Sequence, residues 1–197
     1  MTGYLPLIWA IIMAFAVIMY VILDGFDLGI GILFPWIPSK EHRDLMINSV
    51  APLWDGNETW MVLGGATLYG AFPLAYSLLL PMLYMPIMIM LAALIFRGVA
   101  FEFRFKAHRS RFVWDIAFWA GSTMAAFCQG LILGTFIVGY TPPANLATEV
   151  LSPAWLTPFS LMTGVAVIIG YALLGATWLI MKTEGELQNN MYNAAKT

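Results

Sequence analysis

Two short stretches hold the residues best suited to chemistry. Trp54-Asp55-Gly56-Asn57-Glu58-Thr59-Trp60 brings together two acids, an amide and a hydroxyl, and Asp24-Gly25-Phe26-Asp27 sets two further acids close together. In each stretch the acids stand at i, i+3 and share one face of a helix. Both lie in apolar surroundings, where a charged side chain at the centre of a membrane costs roughly 2.5–3.5 kcal/mol. Carboxyl groups gathered away from water can bind and release protons near neutral pH, which is the chemistry of a proton relay. Gly25 and Gly56 each follow an acid and leave room for a close helix approach or a bound water. Two blander readings stay open. If the second helix begins at Pro52, Asp55 and Glu58 occupy its first turns, where acids complement the helix dipole and face headgroups. Alternatively, Arg97 is a candidate charge partner in a structural salt bridge.

The elements that carry these residues are read from the apolar runs. Hydrophobic residues make up 61% of the 197 and charged residues 10%, against about 45–50% and 25% in a soluble domain. The excess falls in long runs, so the fold class is an all-α integral membrane protein with about five transmembrane helices. They are expected over residues 5–34, 48–69, 74–96, 112–138 and 159–181. The first four form a bundle, and the whole of 1–182 is one helical domain. Pro35 and Pro38 end the first helix, residues 39–46 form a polar loop, and Pro81 and Pro86 kink the third helix. Residues 97–111 are the most charged connection, 139–158 form a loop with Glu149 as its one charge, and 183–197 are a polar tail, truncated or disordered.

Lys and Arg then orient the bundle. Lys40 and Arg43 fall in the first connection, Arg97, Arg104, Lys106, Arg109 and Arg111 in the third, and Lys182 and Lys196 in the tail. All nine lie on one side of a five-helix alternation, which the positive-inside rule makes the cytoplasm. The N-terminus is therefore expected outside and the C-terminus in the cytoplasm. Asp27 lies roughly 12 Å from the cytoplasmic end of its helix and Asp55 roughly 10 Å into the next. The two acid pairs can meet at one level in the inner half of the membrane.

Other chemistry is thin. The lone cysteine, Cys128, allows no disulfide within the chain and reads as a buried, inert thiol. His42 and His108 lie in charged loops as solvated surface, so no histidine sits inside a span to hold haem or metal. The methionines read as packing, and Gly64-Gly65 is no phosphate loop. The Gly25-x-x-x-Gly29 and Gly121-x-x-x-Ala125 spacings are unspecific small-residue helix contacts. No basic tract speaks for nucleic acid, and no basic segment precedes the first apolar run to make it a cleavable signal.

At these residues the chain resembles subunit II of cytochrome bd-type quinol oxidases. The matching stretches are Asp24-Gly-Phe-Asp-Leu-Gly29, Met46-Ile-Asn-Ser-Val-Ala-Pro52 running into Trp54-Asp-Gly-Asn57, and Phe96-Arg-Gly-Val-Ala-Phe-Glu-Phe-Arg104. Three motifs in the right order, together with the helix spacing, carry the resemblance over most of Met1 to about Lys182. The resemblance implies a bacterial inner-membrane enzyme that oxidises quinol and reduces dioxygen to water. Haem b and haem d would be held by the partner, subunit I, and this chain alone would hold none. By motif position, Asp55 and Glu102 match acids of the family's cytoplasmic proton path, with Glu102 standing where some members have aspartate. Glu58, Asp24 and Asp27 would support them. Some members bind a structural quinone in this subunit, and small single-helix accessory subunits are further expected partners. The family's subunit II has about twice this length, so these residues would supply its first bundle and one helix beyond. Two rival readings are an independent proton-coupled transporter and a purely structural membrane subunit.

Overall fold

The computed structural model describes residues 3–107, 109–139, 153 and 155–196. His108 and Glu149, with most of the loop expected around Glu149, lie outside the described residues. The elements are α1 (Leu5–Leu33), a 3-10 turn (Phe34–Trp36), α2 (Lys40–Val50), α3 (Trp54–Ala71), α4 (Pro73–Met82), α5 (Tyr84–Lys106), α6 (Arg111–Val138), α7 (Pro158–Lys182) and α8 (Glu186–Lys196). Four of them, α1, α5, α6 and α7, are long and apolar enough to cross a membrane. With the shorter apolar α4, they make an all-α multi-span membrane protein.

Several boundaries differ from the expectation, each for a local reason. Residues 39–46 are not a loop: Ser39 accepts a hydrogen bond from the His42 amide and caps α2, and Met46, Ile47 and Val50 form its buried face. The turn at 51–53 carries Pro52, so the next helix starts at Trp54 rather than near residue 48. The helix expected over 74–96 is broken at Leu83, between Pro81 inside α4 and Pro86 in the first turn of α5. Each proline removes a backbone donor where a continuous helix would need one. α5 then runs on to Lys106, ten residues beyond the expected end, and takes Arg97 and Arg104 inside the protein. The tail is also helical, with Leu187 and Met191, one turn apart, buried against the end of the bundle.

The two halves of α1 differ sharply. Before Asp24 only Ala16 and Tyr20 are buried, while every residue from Asp24 to Leu33 is. The long helices close around that second half. A Cβ at Gly29 would strike the Tyr171 carbonyl on α7, and one at Gly175 would strike the backbone of Gly29 and Ile30. Only bare backbone lets α1 and α7 approach so closely. Gly121 does the same for α5, since a Cβ there would lie 2.6 Å from the Ala93 carbonyl oxygen and 3.2 Å from the Arg97 Cβ. The fifth span is thus part of the same body as the first four. At the basic end, Phe34, Ile37, Met46, Ile47, Val50, Leu187 and Met191 belong to one apolar cluster, which seats α2 and α8 across the helix ends.

Candidate buried charge site

The acids of α1 point into the protein. Asp24, Asp27 and Arg97 are all 0% exposed. Arg97 Nη1 donates to Asp24 Oδ1 at 3.0 Å, its Nη2 lies 3.8 Å from Asp27 Oδ2, and Nη1 lies 3.9 Å from Glu58 Oε2. Asn57 Nδ2 donates to Asp27 Oδ2 at 2.8 Å and to the Leu23 carbonyl at 3.4 Å. Three helices therefore build one site: α1 gives two aspartates, α3 an amide and a glutamate, and α5 a guanidinium. The Arg97 guanidinium also stands 5.7 Å from the centre of the Phe101 ring, a cation–π separation.

The charges do not balance. Three carboxylates surround one guanidinium, so the fully ionised cluster carries a net charge of −2 (three negatives against one positive). Among the described residues, Asp24 Oδ2, Asp27 Oδ1, Arg97 Nε and Arg97 Nη2 are buried with no hydrogen-bond partner. Burying uncompensated charge is expensive enough that such a group binds a proton or a counter-ion instead. Glu58 is the cluster's most exposed member: its side chain is 24% exposed and lines a groove of about 450 Å³ between α3 and α5 with Trp54, Leu94 and Gly98.

The remaining candidate acids stand apart. Asp55, in the first turn of α3, is exposed and one turn before Glu58. Glu102, far along α5, is 70% exposed and pairs with Lys106 at 3.4 Å. The structure brings Asp24, Asp27, Glu58 and Arg97 together and leaves Asp55 and Glu102 outside that cluster.

Comparison with known proteins settles the family. The sequence model of the family described as cytochrome bd terminal oxidase subunit II matches residues 5–197. The chain belongs to that family. The probable cytochrome oxidase subunit 2 of Haemophilus influenzae is 34% identical over 193 residues, which cover 94% of this chain and 51% of the relative. The cytochrome bd ubiquinol oxidase subunit 2 of Bacillus subtilis is 32% identical over 192 residues, covering 96% and 57%. The cytochrome bd-I ubiquinol oxidase subunit 2 of Escherichia coli K12 is 34% identical over 193 residues, covering 93% and 50%. The chain spans about half the length of these relatives. As a subunit II with four long apolar helices, it is a multi-pass protein of the inner membrane.

A second charge cluster of this subunit II was not expected from the sequence. Arg104, 1% exposed, donates from Nε to Asp115 Oδ1 at 2.5 Å and from Nη1 to Asp44 Oδ1 at 2.6 Å. Arg111 also donates to Asp44, and Arg43 donates to Asp115 Oδ2 at 3.1 Å and to the Ile37 carbonyl at 2.7 Å. Burial works against the Asp44 charge, but the bonds from Arg111 and Arg104 outweigh it and hold the carboxyl below its ordinary range. The signal for the buried arginines was present: Arg97, Ala100, Phe101 and Arg104 follow i, i+3, i+4, i+7, an inward helical stripe with a cation at each end. Among the described residues no group of three or more His, Cys, Asp or Glu side chains is arranged to hold a metal ion, and His42 lies on α2 outside the spans.

Proposed function

We propose that this chain works as the haem-free subunit II of a cytochrome bd-type quinol oxidase and takes up protons from the cytoplasm through its buried acids. Quinol oxidation and dioxygen reduction would belong to the complex, with haem b and haem d in subunit I. The observation that carries the reading is the surplus of carboxylates in the Asp24–Asp27–Glu58–Arg97 cluster. A buried site with more acids than cations is suited to hold an exchangeable proton. The order of exposure gives the route a direction: Asp55 at the surface, Glu58 partly exposed one turn on, then Asp27 and Asp24 fully enclosed. Glu102 lies at the basic end beside Lys106 and would act as a surface acid that gathers protons. The inward-facing assignment of that end rests on the Lys and Arg residues outside the buried clusters, since Arg97 and Arg104 are buried on α5.

The test is turnover and proton uptake in the assembled complex carrying Asp55→Asn, Glu58→Gln or Asp27→Asn, with haem content measured in parallel to report assembly. Loss of oxygen reduction at normal haem content is expected, and unchanged turnover with unchanged uptake refutes the path. One observation favours the structural reading: the 3.0 Å Arg97–Asp24 pair, wholly buried, ties α1 to α5. That reading expects the amide variants to lower haem content while sparing turnover in the complex that forms. A transporter working alone would move protons when the purified chain is placed in liposomes.

A further inference from the structure

Above the acid cluster lies a set of polar side chains that the proposed path does not use. Tyr171 on α7 donates its hydroxyl to Gln129 Oε1 on α6 at 2.6 Å, and Gln129 Nε2 donates to the Tyr20 oxygen on α1 at 2.7 Å. Tyr20 and Tyr171 are 7% and 5% exposed, so these bonds form inside the bundle. Tyr20 stands four residues before Asp24, on the same face of α1. A phenol is both donor and acceptor. Here its oxygen is already used as an acceptor, and its proton is left to point elsewhere. One turn away, Asp24 Oδ2 is buried with no hydrogen-bond partner.

We infer that Tyr20 is a positioning residue for Asp24, giving its O–H to the carboxylate oxygen that Arg97 does not bind, and that Gln129 and Tyr171 fix its direction. Every donor in the series then points the same way: Tyr171 to Gln129, Gln129 to Tyr20, Tyr20 to Asp24. The amide has a second orientation, turned by half a rotation. In it Tyr20 would donate to Gln129, and Asp24 Oδ2 would have no donor. Leaving a buried carboxylate oxygen unbonded costs more than leaving a phenol proton where it lies, so the orientation in place is the one that serves Asp24. Gly25 makes room for the arrangement. A Cβ there would stand 3.0 Å from the Tyr171 ring, so the glycine beside Asp24 admits the tyrosine that starts the series.

The two buried aspartates then differ in kind. Asp24 is gripped at both oxygens, by Arg97 and by Tyr20. Asp27 keeps Oδ1 with no donor and is the one with an oxygen free to accept a proton. This last step rests on the proton path proposed above; the Tyr20–Asp24 bond does not.

The bond is tested by infrared spectroscopy of the membrane complex containing this chain with ring-¹³C tyrosine, in which the C–O stretch reports whether a phenol donates, accepts or does both. The difference between wild type and Tyr20→Phe isolates the Tyr20 band. Asp24→Asn is expected to shift that band and Asp27→Asn to leave it in place. A Tyr20 band indifferent to Asp24→Asn overturns the inference. If Asp24→Asn does not assemble, Gln129→Met serves. Loss of the amide should move the Tyr20 band toward that of a phenol that only donates, and an unchanged band again refutes the series. Turnover separates the two claims. A Tyr20 band shifted by Asp24→Asn together with normal turnover in Asp27→Asn keeps the positioning role and removes the path, whereas a band that Asp24→Asn does not shift together with lost turnover in Asp27→Asn does the reverse.

Discussion

Arg97 and Arg104 stand seven residues apart on one face of α5, about 10 Å along the helix, and both are buried with aspartates around them. Their surroundings are opposite. Arg104 is one of three cations that share two acids (Arg43, Arg104, Arg111 against Asp44, Asp115), with bonds of 2.5 and 2.6 Å and the Phe34 ring 5.2 Å beneath it. Arg97 is one cation among three acids, at 3.0, 3.8 and 3.9 Å. The first cluster binds both oxygens of Asp115 and joins α2, α5 and α6. It has the form of a staple. The second has acids in excess and leaves Asp27 Oδ1 without a donor, which is what the proposed proton path requires. Two arginines of one helix thus meet the cost of burial in two ways: around Arg104 the carboxylates are bonded and the unpartnered atoms are arginine nitrogens, Arg104 Nη2 and Arg111 Nε, whereas around Arg97 carboxylate oxygens are left without donors as well.

The largest effect that would break the contrast is expected at Arg97. Arg97→Gln removes the only cation of its cluster and leaves acids buried together, where removing one partner of a buried pair costs about 3–5 kcal/mol. Folded, haem-associated complex should fall severely, and adding Asp24→Asn should restore part of it; the yield of assembled complex by size-exclusion chromatography reads both. Next comes the pair Asp27→Asn and Asp115→Asn. The first should lower turnover at least about tenfold, a barrier change of about 1.4 kcal/mol, while the second should spare turnover and lower stability. Equal effects on turnover would erase the distinction between exchange site and staple. Smaller again is Arg104→Gln. Its two acids keep Arg43 and Arg111 as partners, so the expected loss is that of hydrogen bonds to charged groups, about 1.5–3 kcal/mol, seen as a lower melting temperature with proton uptake unchanged.

What could be read beforehand follows the same division. Asp24 and Asp27 were legible because an acid in an apolar run has no cheap explanation, and Arg97 was legible as a partner because its helix ends on the same side. The contact of Asn57 with Asp27 was hidden, since a neighbouring Asp55 and Glu58 offered themselves as the chemical residues of that stretch. Asp55 turns outward because α3 begins at Trp54 and places it in the first turn. The staple was illegible for another reason. Arg104 reaches Asp115 and Asp44 across eleven and sixty residues, and no local spacing marks such pairs. α2 and α8 hide behind their charge, which is as common in loops, although Met46, Ile47 and Val50, and Leu187 and Met191, carry helical spacing. Gln129 is a single polar residue in an apolar run and becomes informative only once Tyr20 and Tyr171 stand on either side of it.

The mildest prediction concerns acid and bears on the staple alone. Asp44 has its carboxyl held below the ordinary value of 3.8 by Arg111 and Arg104. The unfolded carboxyl therefore binds its proton at a higher pH than the folded one, and between those two values stability rises with pH. The contribution is complete above the ordinary value and is lost as the pH falls through the lowered one. Between pH 8 and 5 the α2 amides should thus keep constant protection from hydrogen exchange, apart from the intrinsic pH dependence of exchange itself. Below about pH 4 their protection should fall first in α2, and Asp44→Asn should show the same loosened state at neutral pH. Loss of α2 protection already between pH 7 and 5 would mean that the end of the bundle depends on a group other than Asp44. The staple would then share the changeable charge proposed for the Arg97 cluster.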